Sequence, residues 1–89
     1  MILLNNFELI SVEAISGGTT TLTCSLQGSS FQWERLVNNV WSTLQQGDKY
    51  GNVNTKFLII YKVDPRDDGS YSCAVGSQKG SIQFTVIGK

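Results

Sequence analysis

The sequence predicts an all-β domain built as a sandwich or barrel. Three observations carry that expectation. Short runs of alternating apolar and polar residues recur about every 8 to 12 positions, helical periodicity is almost absent, and clusters of Gly, Asn, Ser and Asp punctuate the runs. The 89 residues are 40% hydrophobic, enough for one small core and too few for two, so the whole of 1–89 reads as a single domain with residues 1–5 as a lead-in.

In chain order, the first expected strand is Phe7 to Ile15, bounded by Gly17-Gly18. The second, Thr19 to Leu26, places Leu22, Cys24 and Leu26 on one face and Thr21, Thr23 and Ser25 on the other. After the turn-rich Gln27 to Ser30, Phe31 to Leu36 sets Phe31 and Trp33 against Gln32 and Glu34. Trp41 to Leu44 follows Asn38-Asn39 and stops before Gly47-Asp48, with Trp41 expected to cover the core edge beside Leu44, the alternative being an exposed interface anchor. Lys56 to Val63 contains Phe57-Leu58-Ile59-Ile60-Tyr61 and ends at the loop Asp64-Pro65-Arg66-Asp67-Asp68-Gly69, which holds the only Pro. Ser70 to Val75 alternates Tyr71, Cys73 and Val75 with Ser72 and Ala74. Ser81 to Ile87 alternates Ile82, Phe84 and Val86 with Gln83 and Thr85, and a five-residue hairpin loop, Gly76 to Gly80, is expected between the two.

Composition excludes several functions. Seven Lys plus Arg balance seven Asp plus Glu, so the chain lacks the positive field with which proteins bind nucleic acid or anionic membranes. The apolar opening Met1-Ile2-Leu3-Leu4 stops at Asn5-Asn6 without a basic leader. It reads as neither a membrane span nor a signal peptide, with Met1 an appended start residue. There is no His, which removes the usual general base of hydrolytic triads, so no catalytic residue is expected. Two Cys without a CxxC pair or a His cannot complete a tetrahedral zinc site. Asp64, Asp67 and Asp68 lack the glycine spacing of a calcium loop and read as a solvated turn with one structural Asp. Gly17, Gly18, Gly47 and Gly51 read as turn formers, not a phosphate cradle. No metal or cofactor is expected, and no Asn is followed by x-Ser or x-Thr, so there is no N-glycosylation acceptor.

Cys24 and Cys73 stand 49 positions apart, each on the apolar face of an expected strand. They suit one inter-sheet disulfide; the alternative is a pair of buried thiols acting as small hydrophobes. A bridge closing a loop of that length is worth on the order of 4 kcal/mol in the chain-entropy picture and belongs to oxidising surroundings.

The succession Cys24, Trp33, Leu58, Ile60, Asp67-x-Gly69-x-Tyr71-x-Cys73, with Leu22 two before the first Cys, resembles the immunoglobulin superfamily, and its short Cys spacing resembles the intermediate-set (I-set) or C2-like members. The resemblance implies an immunoglobulin-like Greek-key sandwich of two antiparallel sheets with one inter-sheet disulfide. It further implies that Trp33 packs on the bridge, that the Tyr71 hydroxyl turns back to upstream backbone, and that Asp67 pairs with Lys49 or Lys56.

Function follows the same reading. The resemblance implies an extracellular or cell-surface module that recognises a protein ligand or neighbouring immunoglobulin-like domains without covalent chemistry, in adhesion or immune-type reception. The alternatives are a spacer with no ligand of its own and an intracellular muscle-type domain with reduced cysteines. The candidate binding face is Gln32, Glu34, Ser72, Ala74, Gln83 and Thr85, the outward side chains of one sheet. On the other sheet, alternation sends Phe57, Ile59 and Tyr61 outward beside Thr21 and Thr23: either a weak self-association stripe or cross-strand packing on threonine methyls. The loops Gln27 to Ser30 and Val75 to Ser81 are expected together at one end, short and without an aromatic, unlike antigen-receptor recognition loops.

Overall fold

Alternation resolves into two layers. A computed structural model of the chain describes residues 9–88. The lead-in 1–5, and Phe7 and Glu8 of the first expected strand, lie outside the described residues. The strands are β1 (Leu9–Ile15), β2 (Thr20–Thr23), β3 (Gln32–Val37), β4 (Val40–Thr43), β5 (Tyr50–Gly51), β6 (Phe57–Ile60), β7 (Gly69–Val75) and β8 (Gln78–Ile87), with one 3-10 turn at Pro65–Asp67. One sheet has the order β1-β8-β7-β3-β4 and the other β2-β6-β5, so the chain changes layer at β1–β2, β2–β3, β4–β5 and β6–β7.

Antiparallel pairing holds in every ladder but one. β1 runs parallel to β8, from Leu9 opposite Ser81 to Ile15 opposite Ile87. The first strand thus extends the larger sheet, where Ile10, Val12 and Ala14 pack their half-buried side chains on the core.

Between the layers lie Leu22, Cys24, Trp33, Leu58, Ile60, Tyr71, Cys73, Ile82 and Phe84, all at most 2% exposed. The Cys24–Cys73 disulfide joins β7 to the residue just after β2, with Cα atoms 5.9 Å apart. It therefore crosses from one sheet to the other. Trp33 stands directly opposite Cys73 in the β3–β7 register, and its Nε1–H donates to Thr55 O at 2.8 Å, so the buried indole keeps its one polar atom satisfied. The Tyr71 and Phe84 rings meet edge to face at 5.8 Å.

Three local expectations change. The loop between the last two strands is a two-residue turn, not five residues: Val75 pairs with Gln78, and Gly76 takes φ 62° at the first central position. That conformation suits a type II′ hairpin, where glycine escapes the Cβ clash, and the polar Gln78-Lys79-Gly80 is carried into β8 by main-chain pairing. β5 is a short strand that no alternation announces. Trp41 does not cover the core: it is 39% exposed, and Leu44 alone turns inward.

Trp41 turns outward because of the β3–β4 hairpin. Asn38 and Asn39 both take positive φ, 52° and 66°, in a two-residue turn that places Val37 opposite Val40 and Leu36 opposite Trp41. Asparagine tolerates this left-handed geometry, which matches a type I′ turn. Directly paired residues share a face. Trp41 therefore lies with Leu36 on the outer side of the sheet, while Trp33 and Leu44 point in.

Candidate recognition face

The corner that orients β7 is built from the loop upward. Asp64 caps the 3-10 turn by accepting from Arg66 N at 2.8 Å, and Asp67 returns the bond by accepting from Asp64 N at 2.8 Å. The Asp67 carboxylate, 3% exposed, also meets Lys49 Nζ at 2.6 Å. Lys49, not Lys56, is thus the basic partner. Lys56 instead donates to Leu26 O at 2.8 Å and lies 5.9 Å from the Phe31 ring centre. Asp68 accepts from Val86 N at 3.0 Å, so all three acidic side chains hold backbone amides.

The Tyr71 hydroxyl donates to Asp67 O at 2.8 Å, closing the corner. Burial, reinforced by the neighbouring Tyr50 phenol, pushes its ionisation far above the usual tyrosine range, against a smaller opposing pull from Arg35. The Arg35 guanidinium sits 5.4 Å over the Tyr71 ring and donates to the carbonyls of Arg66 and Asp68, tying β3 to the same loop.

With β3, β7 and β8 so aligned, the register places all six candidate face residues on the outer side of the five-stranded sheet. Gln32 lies opposite Ala74 and Glu34 opposite Ser72; Ala74 faces Lys79, and Gln83 faces Ser70 and Ser11. Thr85 lies opposite Glu13. Their exposures differ. Gln32 is open, Glu34, Ala74, Gln83 and Thr85 are half-buried, and Ser72 is 2% exposed, so it serves as floor rather than contact surface.

Side-chain bonds tie the face together. Lys79 Nζ meets Glu34 Oε1 at 2.9 Å, and Ser72 Oγ donates to the same oxygen at 3.4 Å. Gln32 Nε2 donates to Thr43 Oγ1 at 3.0 Å, and Ser70 Oγ donates to Gln83 Oε1 at 3.1 Å. Leu36 and Trp41 add an apolar flank. The sequence reading left out Leu36, Thr43 and Lys79 and held Trp41 as an exposed anchor only as its second choice; the Asn38-Asn39 dipeptide between two apolar runs was the signal for the hairpin that brings Leu36, Trp41 and Thr43 here.

The opposite sheet presents a narrower stripe. Thr21 faces Ile59 and Thr23 faces Phe57. Phe57 is 48% exposed, whereas Ile59 and Tyr61 are half-buried. Tyr61 lies so close over Gly51 that a Cβ there would stand 2.6 Å from its hydroxyl oxygen. At one end, the loop holding Gly28 packs on Val75, so the two short end loops do lie together.

This arrangement agrees with a match to the family model of the immunoglobulin I-set domain over residues 6–87. The chain belongs to the immunoglobulin I-set family. Solved structures share the sandwich fold at low sequence identity. The N-terminal four Ig domains of Dscam1 isoform 8.4 superpose with a TM-score of 0.80 at 21% identity, covering 96% of this chain and 24% of that one. The isoform 9.44 structure gives 0.80 at 19% identity, with the same coverage. The extracellular domain of the voltage-gated sodium channel beta4 subunit, described as a parallel homodimer that explains its role in cell-cell adhesion, gives 0.72 at 16% identity and covers 97% of both chains. This I-set domain thus spans about a quarter of the Dscam1 chains it matches.

Proposed function

We propose that this I-set domain is an extracellular recognition module of a cell-surface or secreted protein, binding a folded protein partner non-covalently through the outer face of its five-stranded sheet. The single observation that supports this most is the composition of that face. At its centre the Glu34–Lys79 charge pair is neutralised within the domain among small and polar groups, Glu13 stands on the β1 margin, and Trp41 with Leu36 flanks the opposite side. A partner centred on β3 and β7 can cover such a surface without stranding an unpaired charge, and an aromatic beside it is the residue type enriched in interface anchors. The inter-sheet disulfide fits an oxidising compartment, and the adhesion role described for the beta4 extracellular domains accords with the reading.

Biotinylated domain, tetramerised on streptavidin, provides the test when applied to intact cells of several tissues. Gln83→Arg and Trp41→Ala are expected to reduce staining at least about tenfold, while Thr21→Arg on the other sheet leaves it unchanged. Staining lost with Thr21→Arg and kept with Gln83→Arg overturns the assignment of the face.

A spacer role is the second reading. Ile15 and Ile87 lie side by side at the end of β1 and β8, 67% and 43% exposed, which favours contact with an adjoining module. A spacer adds nothing to the affinity of a flanking domain pair, so affinity measured with and without this domain separates the readings.

A further inference from the structure

The edge of β4 carries hydrogen-bonding groups that the sandwich does not use. β4 is the terminal strand of the larger sheet, and all four of its residues are exposed. Leu44 N–H donates to Trp33 O at 2.9 Å. In an antiparallel ladder, inward-bonding residues alternate, so Ser42 and Val40 also direct their backbone groups to β3. The N–H and C=O of Trp41 and Thr43 therefore point away from the sheet, and among the described residues no strand pairs with them.

Natural edges of this kind are guarded by charges, prolines or bulges. From Leu36 to Gly47 there is no Lys, Arg, Asp, Glu or Pro; brevity is the guard present. We propose that β4 pairs antiparallel with β4 of a second copy of this chain, about a two-fold axis at Ser42. In that register Trp41 lies opposite Thr43 of the second copy and Thr43 opposite its Trp41, forming roughly four main-chain hydrogen bonds. Trp41 and Thr43 share the outer face, so each indole packs beside a β-branched residue across the axis, a stabilising cross-strand pair. Ser42 meets only its own small counterpart.

A two-fold dimer sets every residue near the axis against itself, and like charges are the usual obstacle. Here none arises. Glu34 is paired to Lys79, Arg35 is engaged by the carbonyls of Arg66 and Asp68, and the formal net charge is zero. A second copy is thus the occupant this edge fits. The contact is far smaller than the ~1,600 Å² of a standard interface, which sets the expected Kd at roughly 10–100 μM. The pairing shares Trp41 and Thr43 with the flank of the proposed face, but it is carried by the main-chain groups of β4 and holds whether or not that face takes a partner.

Sedimentation equilibrium over about 10 μM to 1 mM tests the idea, with near-UV circular dichroism confirming that each variant is folded. Wild type is expected to dimerise. Ser42→Lys and Ser42→Glu each raise Kd at least about tenfold by setting like charges on the axis, and an equimolar mixture of the two restores dimers. Ile59→Lys, on the other sheet, behaves as wild type. A monomeric wild type throughout the range, a mixture that stays monomeric, or dimers abolished by Ile59→Lys but not by Ser42→Lys overturns the proposal, the last moving the contact to the Phe57, Ile59 and Tyr61 stripe.

Discussion

Tyr71 and Asp67 show how much a single polar atom decides in this core. The Tyr71 hydroxyl is buried with one acceptor, Asp67 O, and its ionisation is displaced upward chiefly by burial. A group whose ionisation is raised on folding contributes stability that is fully present below its unfolded pKa, about 10 for tyrosine, and is lost as pH rises past it. The domain is therefore expected to weaken steadily above about pH 10, with at least one tyrosine withheld from ionisation until the sandwich opens, as read by ultraviolet absorbance during alkaline titration. Tyr71→Phe removes that withheld titration and lowers stability by about 1–1.5 kcal/mol in urea unfolding. Asp67→Ala costs more, about 2–3 kcal/mol, because it leaves the Asp64 amide without its acceptor and removes the short ion pair to Lys49. Lys49→Met is expected to cost at least as much, since it leaves the Asp67 carboxylate, only 3% exposed, without its counter-ion.

At the scale of elements, legibility depended on how firmly the phase of alternation was anchored. In β2, β6 and β7 a Cys, a Tyr or a run of apolar residues marks the inner face, and Leu22, Leu58, Ile60, Tyr71 and Cys73 all turn in as their spacing implies. β4 has four residues and no such anchor. A one-position change of phase moves each side chain to the other face, so the side taken by Trp41 depends on the hairpin turn, which only the Asn38-Asn39 conformation reveals. β5 is too short to alternate. The start of β8 is polar, and only main-chain pairing with β7 defines it. The candidate face was legible because β3, β7 and β8 have clear phases, whereas the burial of Ser72 depends on neighbours brought together from three strands. The turn itself is testable. Asn39→Gly, which relieves the left-handed strain, is expected to raise stability by a few tenths of a kcal/mol, and Asn39→Val to lower it by about 1–2 kcal/mol. Equal unfolding midpoints for the two would contradict the turn geometry.

For the whole molecule, the disulfide links fold to setting. The core of so small a domain stabilises it only marginally, and a bridge closing a loop of 49 residues is a large share of the total. Replacing both Cys24 and Cys73 by Ala is expected to cost about 2–5 kcal/mol and to lower the thermal midpoint by more than 10 °C. Both sulfurs are buried, at most 1% exposed, so reductant should reach them only as the two layers part. The most direct measurement is therefore mass analysis of the protein taken from its own compartment without reductant and unfolded in the presence of a thiol-alkylating reagent. A stapled sandwich working outside the cytosol takes up no label until it is reduced and then takes up two per chain; two labels before reduction would contradict that account.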